Sequence, residues 1–293
     1  MKFLVIGNLT KDIIRTKDIE KITFGGATSY CSITASRLGC ETHVLSKGNI
    51  ELNHWIRNLK NEGISIDLQN SEVITHFVND YSEKKRKQLL LSDAGEIDHK
   101  RIKKVDIIHL GPVFNEVTLE CVKEARKNSK ILSLDAQGLV RKLKNKEVIN
   151  ILWDERDEFL KYIDLLKIGE DEISSISKNK NYVEICNELL DCGVKVVELT
   201  LGKKGSIIAG EKIHRIPAYK TTTIDPTGCG DVFAAAFGIK YFETKDLLDS
   251  GLFASAAASF VVEDFGTKNI VNRAKVEERF KMLRNAHNLL FGE

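Results

Sequence analysis

The sequence predicts an α/β fold in which helices cover both faces of a central, mostly parallel sheet, with a small β-lid over one edge. Short apolar runs, typical of buried strands, alternate with longer segments of helical pattern. Two stretches, residues 11–23 and 66–91, break this alternation with short alternating segments. The 293 residues have 42% hydrophobic content, enough for a sizeable core. We therefore expect residues 1–293 to form one domain, with the lid inserted from these two stretches.

Local hydrophobic patterns place the elements in order. Apolar runs predict strands of the parallel sheet at residues 3–7, 42–46, 105–110, 130–135, 163–168 and 194–199. Helical patterns predict helices at residues 27–38, 52–61, 116–127, 171–177, 182–192, from Cys229 onward, 246–262 and 271–290. Within the irregular stretches, residues 73–78 and 88–91 read as antiparallel strands. Ligands bind at the carboxyl edge of such sheets, so we expect the lid there.

Composition excludes several classes of protein. The formal net charge is +2, which gives no signature of nucleic-acid binding, and we interpret the basic run at residues 84–87 as a solvated turn. No apolar run approaches the ~20 residues that span a bilayer, and residues 1–6 read as a first strand. The six cysteines show no CxxC or zinc spacing, which is typical of reduced thiols. We expect a cytoplasmic protein without nucleic-acid or membrane partners.

The run Asp-Pro-Thr-Gly-Cys-Gly-Asp-Val-Phe-Ala-Ala-Ala-Phe, residues 225–237, carries the most chemical information. It predicts a strand end, a Gly-X-Gly turn and a helix that starts near Cys229. Backbone N–H groups at such a start form an anion hole, which the helix dipole strengthens. The residues that supply them are Gly228, Cys229, Gly230 and Asp231. An unpaired Asp231 carboxylate would repel an anion bound at this turn. Its presence there is explained if it takes a proton from a hydroxyl that attacks a phosphate. The motif alone is equally compatible with an ordinary capped core helix.

With this run, the assembled pattern resembles the ribokinase-like (PfkB) family of carbohydrate kinases over almost the whole chain. Its C-terminal signature is the run at 225–237. The N-terminal signature at 25–39 keeps the paired glycines, the small-residue helix and the closing Leu-Gly. The resemblance implies a three-layer α/β/α fold with a β-lid. It also implies an enzyme that phosphorylates an alcohol group.

The resemblance implies roles for individual residues. Asp231 matches the catalytic base, and Gly228, Cys229 and Gly230 match the anion hole. The residues that match the substrate site are Asp12, Gly25 and Gly26, and those that match the nucleotide site are Thr200, Gly202, Gly205, Ser255 and Gly266. Taken singly, such matches have structural alternatives: Asp12 could cap a turn, and Gly202 and Gly205 could form a hairpin turn after a strand.

Two positions depart from the family pattern. The family has Asn-x-x-Glu near the metal and phosphates, whereas this chain has Gly169 in place of the Asn and keeps Glu172. Glu172 therefore matches a Mg²⁺ site, or is a plain acid in the first turn of a helix. Tyr30 stands where ribokinases have an Asn that contacts the sugar, which disfavours ribose.

Residues 135–141 give the clearest indication of the substrate. They resemble the Asp-x-Gln-Gly-x-x-Arg stretch of myo-inositol kinases, which also tend to have an aromatic residue at the position of Tyr30. The Gln137 carboxamide both donates and accepts, which suits a ring rich in hydroxyls. Arg141 would pair with the transferring phosphoryl group. The alternative is a loop with a turn glycine and a surface arginine.

We therefore expect an ATP-dependent kinase of a sugar or cyclic polyol that uses Mg²⁺, with activation by a monovalent cation left open. One alternative is a nucleoside kinase with Phe24, Tyr30 or Phe114 as a platform for the base. A second is a catalytically silent sensor, favoured only by Gly169. A third is a nucleophilic Cys229, although no histidine partner accompanies it. The short lid strands would allow a homodimer through the lid, but nothing in the sequence requires it.

Overall fold

The computed structural model describes residues 1–82 and 87–291. Residues 84–86 of the predicted basic run lie outside this part of the chain. The strands are β1 (Lys2–Ile6), β2 (Thr10–Arg15), β3 (Glu20–Gly25), β4 (Glu41–Gly48), β5 (Ser65–Asn70), β6 (Thr75–Asp80), β7 (Lys87–Ser92), β8 (Val105–Leu110), β9 (Ser129–Asp135), β10 (Arg141–Lys144), β11 (Glu147–Asn150), β12 (Leu165–Gly169), β13 (Val196–Thr200), β14 (Ser206–Ala209) and β15 (Ile213–Ile216). The helices are α1 (Ala27–Arg37), α2 (Asn53–Asn61), α3 (Leu119–Asn128), α4 (Arg156–Leu160), α5 (Ile173–Ile176), α6 (Tyr182–Asp191), α7 (Cys229–Thr244), α8 (Leu247–Val261) and α9 (Arg273–Phe291).

A nine-stranded sheet forms the centre, in the order β15-β14-β13-β12-β9-β8-β1-β4-β5. All neighbours from β13 to β5 pair in parallel. The hairpin of β14 and β15 adds an antiparallel edge beyond β13. The mostly parallel α/β sheet predicted from the sequence is thus confirmed.

Alternate residues of each strand point to opposite faces, and this builds two large apolar cores. On β1, Phe3 and Val5 face one core, which they share with α1, α2, α7, α8 and α9. Leu4 and Ile6 face the other core, which is covered by α3, α4 and α6. The continuous apolar runs of the sequence follow from this burial on both faces. The result is a three-layer arrangement of helices, sheet and helices.

A six-stranded second sheet lies in the order β10-β11-β7-β6-β2-β3. It rests on a small third apolar cluster, whose buried members among the described residues are Ala27, Phe77, Leu90 and Val113. β2 pairs with β3 in the antiparallel sense, but with β6 in parallel, because β2 and β6 each leave the same edge of the large sheet in the same direction. The sequence pattern predicted only antiparallel pairing here, so this part of the prediction was wrong.

The bounds of this second sheet also differ from the predicted lid. Residues 66–70, which the prediction included in the lid, belong to β5 at the edge of the large sheet. β5 is only partly buried, so its alternating pattern resembles that of a lid strand. The hairpin of β10 and β11, at residues 141–150, joins the second sheet and was not predicted, because its sequence is largely polar.

Two local predictions need correction. The segment before the Gly-X-Gly turn is not a strand end, since β15 ends at Ile216 and residues 217–228 contain no strand. The helix predicted at 171–177 starts as a short 3-10 turn and becomes α-helical only at Ile173–Ile176. Across residues 1–82 and 87–291, the structure has no helix with the length and apolar character of a bilayer span.

Candidate active site

The turn at the start of α7 is held in a conformation that requires glycine. Gly228 has φ +78°, in the left-handed region, and a Cβ added there would lie 2.2 Å from ring carbons of Tyr30. The first N–H groups of a helix have no acceptor within it, so this turn presents donors to an anion. The N–H of Cys229, however, donates to the carbonyl of Pro226 at 3.2 Å. The predicted anion hole therefore loses this donor and rests on the residues around it.

Asp231 lies in the first turn of α7 and faces several charged side chains. Burial and the neighbouring Asp135 raise the pKa of its carboxyl to about 7, and Glu172 adds to this. Lys167 and Arg141 lower the pKa of the same group. A carboxyl that titrates near neutral pH can accept a proton from a hydroxyl under physiological conditions. The thiol of Cys229 is different, because burial raises its pKa to about 11, which disfavours the nucleophilic alternative.

Asp12 and the Gly25 backbone lie beside Tyr30. The hydroxyl of Thr10 donates to Asp12 Oδ2 at 2.8 Å and so orients the carboxylate. A Cβ at Gly25 would lie 3.4 Å from Asp12 Oδ2 and 3.7 Å from the Tyr30 ring. Burial raises the pKa of the Tyr30 phenol well above its usual range, and the carboxylates of Asp225, Asp231 and Asp12 add to this. The structure therefore brings Asp12, Gly25 and Tyr30 to the same side of the site as Asp231.

Gly26 precedes α1 with φ +80°. A Cβ there would lie 2.9 Å from the carbonyl oxygen of Asn8, so only glycine fits without a shift of the chain. The ring of Phe24, two residues earlier, stacks on Trp55 with centroids 6.2 Å apart. Trp55 in turn donates its indole N–H to Ser29 Oγ at 2.9 Å. The stacked rings of Phe24 and Trp55 thus lie next to Gly25 and Gly26 in the structure.

Gln137 and Arg141 follow β9 at the carboxyl edge of the large sheet. Asp135 accepts the backbone N–H of Gln137 at 3.0 Å and caps the turn. Gly138 packs on Pro112, since a Cβ there would lie 2.4 Å from backbone atoms of that residue. Arg141 opens β10 and donates to the carbonyl of Val113 at 2.8 Å. Arg141 also lowers the pKa of Asp231 and Glu172, so its guanidinium faces the site.

Glu172 is buried in the turn after β12. Its Oε2 accepts the N–H of Gly169 at 2.7 Å, so Gly169 contributes its backbone where the family has an Asn side chain. Burial raises the pKa of Glu172, whereas Lys167 lowers it. In residues 1–82 and 87–291, the histidines, cysteines and acids form no cluster of three that could hold a metal ion. Mg²⁺ commonly binds through one or two carboxylates together with substrate phosphates, so a single Glu172 fits this ion.

The residues predicted to bind nucleotide lie at the end of β13, in two turns and on α8. Thr200 donates its hydroxyl to Ile168 O at 3.2 Å, and Gly202 and Gly205 have positive φ in the turn between β13 and β14. A Cβ at Gly205 would lie 2.0 Å from Ile216 O. Gly266, with φ +66°, lies in the turn after α8. These positions require the backbone that glycine allows.

The segment from 217 to 228 is tied down onto α8. The hydroxyl of Ser255, predicted to lie near the nucleotide base, donates to Pro217 O at 2.7 Å. The N–H groups of Ile224 and Asp225 donate to Val262 O at 2.7 and 3.3 Å. The Ser255 hydroxyl proton is therefore used in a hydrogen bond within the chain.

Two buried ionisable residues, one beside the α7 turn and one before α3, were not predicted from the sequence. Lys167 on β12 pairs with Asp135, with Nζ 3.0 Å from Oδ2. Glu116 is buried before α3 and accepts the N–H groups of Asn8, Val113 and Phe114 at 2.7–3.0 Å. The lysine within the apolar run Leu165–Gly169 was the one available signal.

Comparison with known proteins decides the family. The model for "pfkB family carbohydrate kinase" matches residues 3–274. The chain belongs to the pfkB family of carbohydrate kinases. It is 30% identical over 269 residues to a nucleoside kinase of Methanothermobacter thermautotrophicus, covering 87% of this chain and 84% of that protein. It is 29% identical to a nucleoside kinase of Methanocaldococcus jannaschii, covering 89% and 86%.

A solved structure of a pyrophosphate-dependent kinase in the ribokinase family, complexed with a pyrophosphate analogue and myo-inositol, is also similar. It superposes with a TM-score of 0.86 at 25% identity, covering 94% of this chain and 99% of that one. The pfkB assignment and the ribokinase-like fold predicted from the sequence are thus confirmed. The protein is a kinase of this family of sugar and nucleoside kinases, and it phosphorylates a hydroxyl group.

Proposed function

We propose that this kinase phosphorylates a hydroxyl of a sugar or cyclic polyol, with myo-inositol as the first candidate. The observation that carries the proposal is the position of Asp231, whose carboxyl lies at an anion-binding helix start and titrates near neutral pH. Asp231 takes the proton of the acceptor hydroxyl as that oxygen attacks the phosphoryl group. The N–H groups of Gly228, Gly230 and Asp231 bind the transferring phosphoryl group at the turn.

The acceptor side is polar around one buried ring. Asp12 accepts from substrate hydroxyls, Gln137 donates and accepts, and Gly25 and Gly26 let the substrate approach the backbone. Arg141 offsets the negative charge of the phosphoryl group during transfer. The structural similarity to a kinase complexed with myo-inositol supports the same class of acceptor.

A nucleoside is the second candidate acceptor, because the chain is 30% identical to a nucleoside kinase over most of its length. Two of the three predicted base platforms are engaged in packing. Phe24 stacks on Trp55, and Phe114 packs against the third cluster beneath the second sheet. Tyr30 is only 6% exposed, with Gly228 against its ring. These contacts favour the polyol over a substrate that needs a stacked base.

Mg²⁺ would be held by Glu172 together with the donor phosphates, and it would offset the charge on the phosphoryl oxygens. ATP is the proposed donor, bound along Thr200, Gly202, Gly205 and Gly266. Pyrophosphate is the second candidate donor. It is favoured by the hydrogen bond from Ser255, predicted to lie near the base, to the carbonyl of Pro217, because this bond occupies the serine hydroxyl. It is also favoured by the similarity to a pyrophosphate-dependent kinase.

A homodimer through the second sheet is proposed as the assembly. β3 and β10 are the edge strands of that sheet, and Ile19, Ile22 and Leu143 are exposed on or beside these edges. Sedimentation at micromolar concentration would show a single species of twice the chain mass, and a monomer would contradict the proposal. The protein is proposed to be cytoplasmic, because its cysteines are free thiols.

The test is a matrix of donors and acceptors in the presence of Mg²⁺. Each of ATP and pyrophosphate is combined with myo-inositol, ribose, fructose, 2-keto-3-deoxygluconate, adenosine or cytidine, and the phosphorylated acceptor is measured. The expected product is a myo-inositol phosphate, with Asp231→Asn slower by ~10²–10⁴. Product from a nucleoside alone would overturn the acceptor. Normal turnover by Asp231→Asn would overturn the mechanism.

A further inference from the structure

A row of charged side chains crosses three neighbouring strands beneath the α7 turn. Asp135 on β9 is in register with Lys167 on β12, and Lys167 is in register with Glu198 on β13. In a parallel sheet, residues paired in this way point to the same face. All three are buried, with exposed fractions of 1%, 5% and 0%. A buried lysine therefore stands between two buried acids in the middle of the large sheet.

Lys167 touches the turn that binds the phosphoryl group. A Cβ added at Gly230 would lie 3.1 Å from both Cε and Nζ of Lys167. The same Nζ is 3.0 and 3.3 Å from the two carboxylate oxygens of Asp135. The ammonium group thus lies between Asp135 of the sheet and Gly230 of the turn.

Charged and titratable groups face Asp231 from every element packed on it, and acids outnumber bases. From the sheet and its loops come Asp135, Lys167, Glu172 and Arg141. From α1 and α7 itself come Tyr30, Cys31 and Cys229, whereas Asp225 before α7 faces Tyr30. Glu198 faces Lys167, and Asp12 faces Tyr30, so these two acids are separated from Asp231 by one neighbouring side chain. Among these groups Lys167 is the buried cation that touches the turn itself.

We propose that Lys167 is a positioning residue for phosphoryl transfer, whose buried ammonium offsets the acids beneath the turn and so keeps Asp231 ionised when the acceptor hydroxyl arrives. The inference rests on the proposed role of Asp231 as the base. Without a cation at this place, the neighbouring Asp135 would favour the protonated form of Asp231, because like charges in a buried site disfavour ionisation. A protonated Asp231 cannot accept the hydroxyl proton.

Glu198 offers a matched control in the same row. Neither of its buried carboxylate oxygens has a hydrogen-bond partner in the described parts of the chain. Burial raises the pKa of Glu198 well above its usual value. Glu198→Gln keeps the size of the side chain and leaves Lys167 and Asp135 in place, so it should leave the pH dependence of the enzyme unchanged.

The experiment measures the acid limb of the kcat/KM pH profile with the best acceptor of the wild-type protein. We expect Lys167→Met to move this limb to higher pH by about one unit, whereas Glu198→Gln leaves it in place. A loss of rate that is equal at every pH, with an unmoved limb, would mean that Lys167 is only structural. It would overturn the proposal.

Lys167→Met leaves Asp135 buried without its partner and could fail to fold. A second pair of variants avoids this, Asp135→Asn and the double variant Asp135→Asn/Lys167→Met. The double variant should titrate at higher pH than Asp135→Asn, because the two differ only in the lysine charge. Identical profiles of this pair would overturn the proposal.

A direct titration separates this inference from the acceptor assignment. Carbon-13 NMR of the protein labelled at aspartate carboxyls, with Asp231 assigned by its loss in Asp231→Asn, reports the ionisation of that group without any turnover. The Asp231 signal should titrate at higher pH when Lys167 is removed from either background. An unchanged titration would refute the role of Lys167 even where an active acceptor is known. A shifted titration with no active acceptor would refute only the proposed substrate.

Discussion

Gly228 lies against the ring of Tyr30 so closely that a Cβ at this glycine would meet two ring carbons at 2.2 Å. The contact joins α1, which carries the N-terminal signature, to the turn that starts α7. Tyr30 therefore lines the proposed acceptor site and at the same time supports the turn that starts α7. A substitution that moves Tyr30 should therefore also move the turn at Gly228, and the reverse.

Gly228→Ala tests the contact. The left-handed conformation costs alanine ~1–2 kcal/mol, and the overlap with Tyr30 adds ~1–3 kcal/mol. Gly63→Ala is a matched control, because Gly63 has φ +77° and its nearest neighbouring atom would be 4.0 Å from the Cβ. We expect Gly228→Ala to lower the free energy of unfolding, measured with urea, by more than Gly63→Ala does. Equal losses would show that Tyr30 does not constrain the turn.

Gly230→Ala should separate activity from stability. Gly230 is helical, so alanine gains up to ~1 kcal/mol of helix propensity while it presses on Lys167. We expect thermal stability within about 1 kcal/mol of the wild-type protein and a kcat lower by roughly 10–100-fold, because the turn and Lys167 shift. Gly238→Ala on the same helix meets only Leu165 at 3.7 Å and should keep its kcat. The same kcat in both variants would contradict the prediction.

Asp231→Asn should change how stability depends on pH. The folded pKa of Asp231 is raised from 3.8 to about 7, so the folded state binds its proton more tightly than the unfolded state does. This contribution to stability is fully present below pH 3.8 and is lost as the pH rises through about 7. Urea unfolding should therefore show that the free energy of unfolding of the Asn variant, relative to the wild-type protein, rises between these pH values. Above them the difference should stay constant. A difference that is flat with pH would show that the carboxyl is not perturbed.

Glu116→Gln should destabilise the loop between β8 and α3. Glu116 is 1% exposed and accepts three backbone N–H groups. An amide NH₂ in place of one carboxylate oxygen faces these donors and cannot accept from them, which costs ~1–3 kcal/mol. Glu120→Gln on the exposed face of α3 is the control and should be nearly neutral. Chemical denaturation compares the two, and equal losses would rule out this role for Glu116.

The parts of the fold that follow a local rule could be predicted from the sequence. Buried parallel strands read as apolar runs, and the start of α7 at Cys229 follows from two glycines and an acid. Asp12 and Gly25 lie together because a short hairpin of β2 and β3 joins them. Parts that depend on pairing between distant segments could not be predicted. β5 has the pattern of a lid strand, and only its pairing with β4 places it in the large sheet.

The site shows the same division. Asp231 was predictable from the turn that carries it. Lys167 was not, because its neighbours in the chain are apolar and its partner Asp135 lies 32 residues away, across a strand register that the sequence does not display. Ser255 shows the reverse case, since its position agrees with the motif but its hydroxyl bonds to Pro217. Hydrogen bonding of that kind depends on where an irregular segment runs, which no local pattern encodes.

The second sheet rests on an apolar cluster of its own, separate from the two large cores. Lifting this sheet would expose that small cluster and the contact of Phe24 with one large core, so the free energy of the opening is a fraction of the free energy of global unfolding. Arg141 begins a strand of this sheet, whereas Asp231 lies on α7, which packs in one of the large cores. The opened molecule therefore keeps the proposed base and the turn at the start of α7 in place, whereas the guanidinium of Arg141 moves away from them. Water that enters an open site would then meet an incomplete set of charges, and wasteful hydrolysis of the phosphoryl donor would be slow.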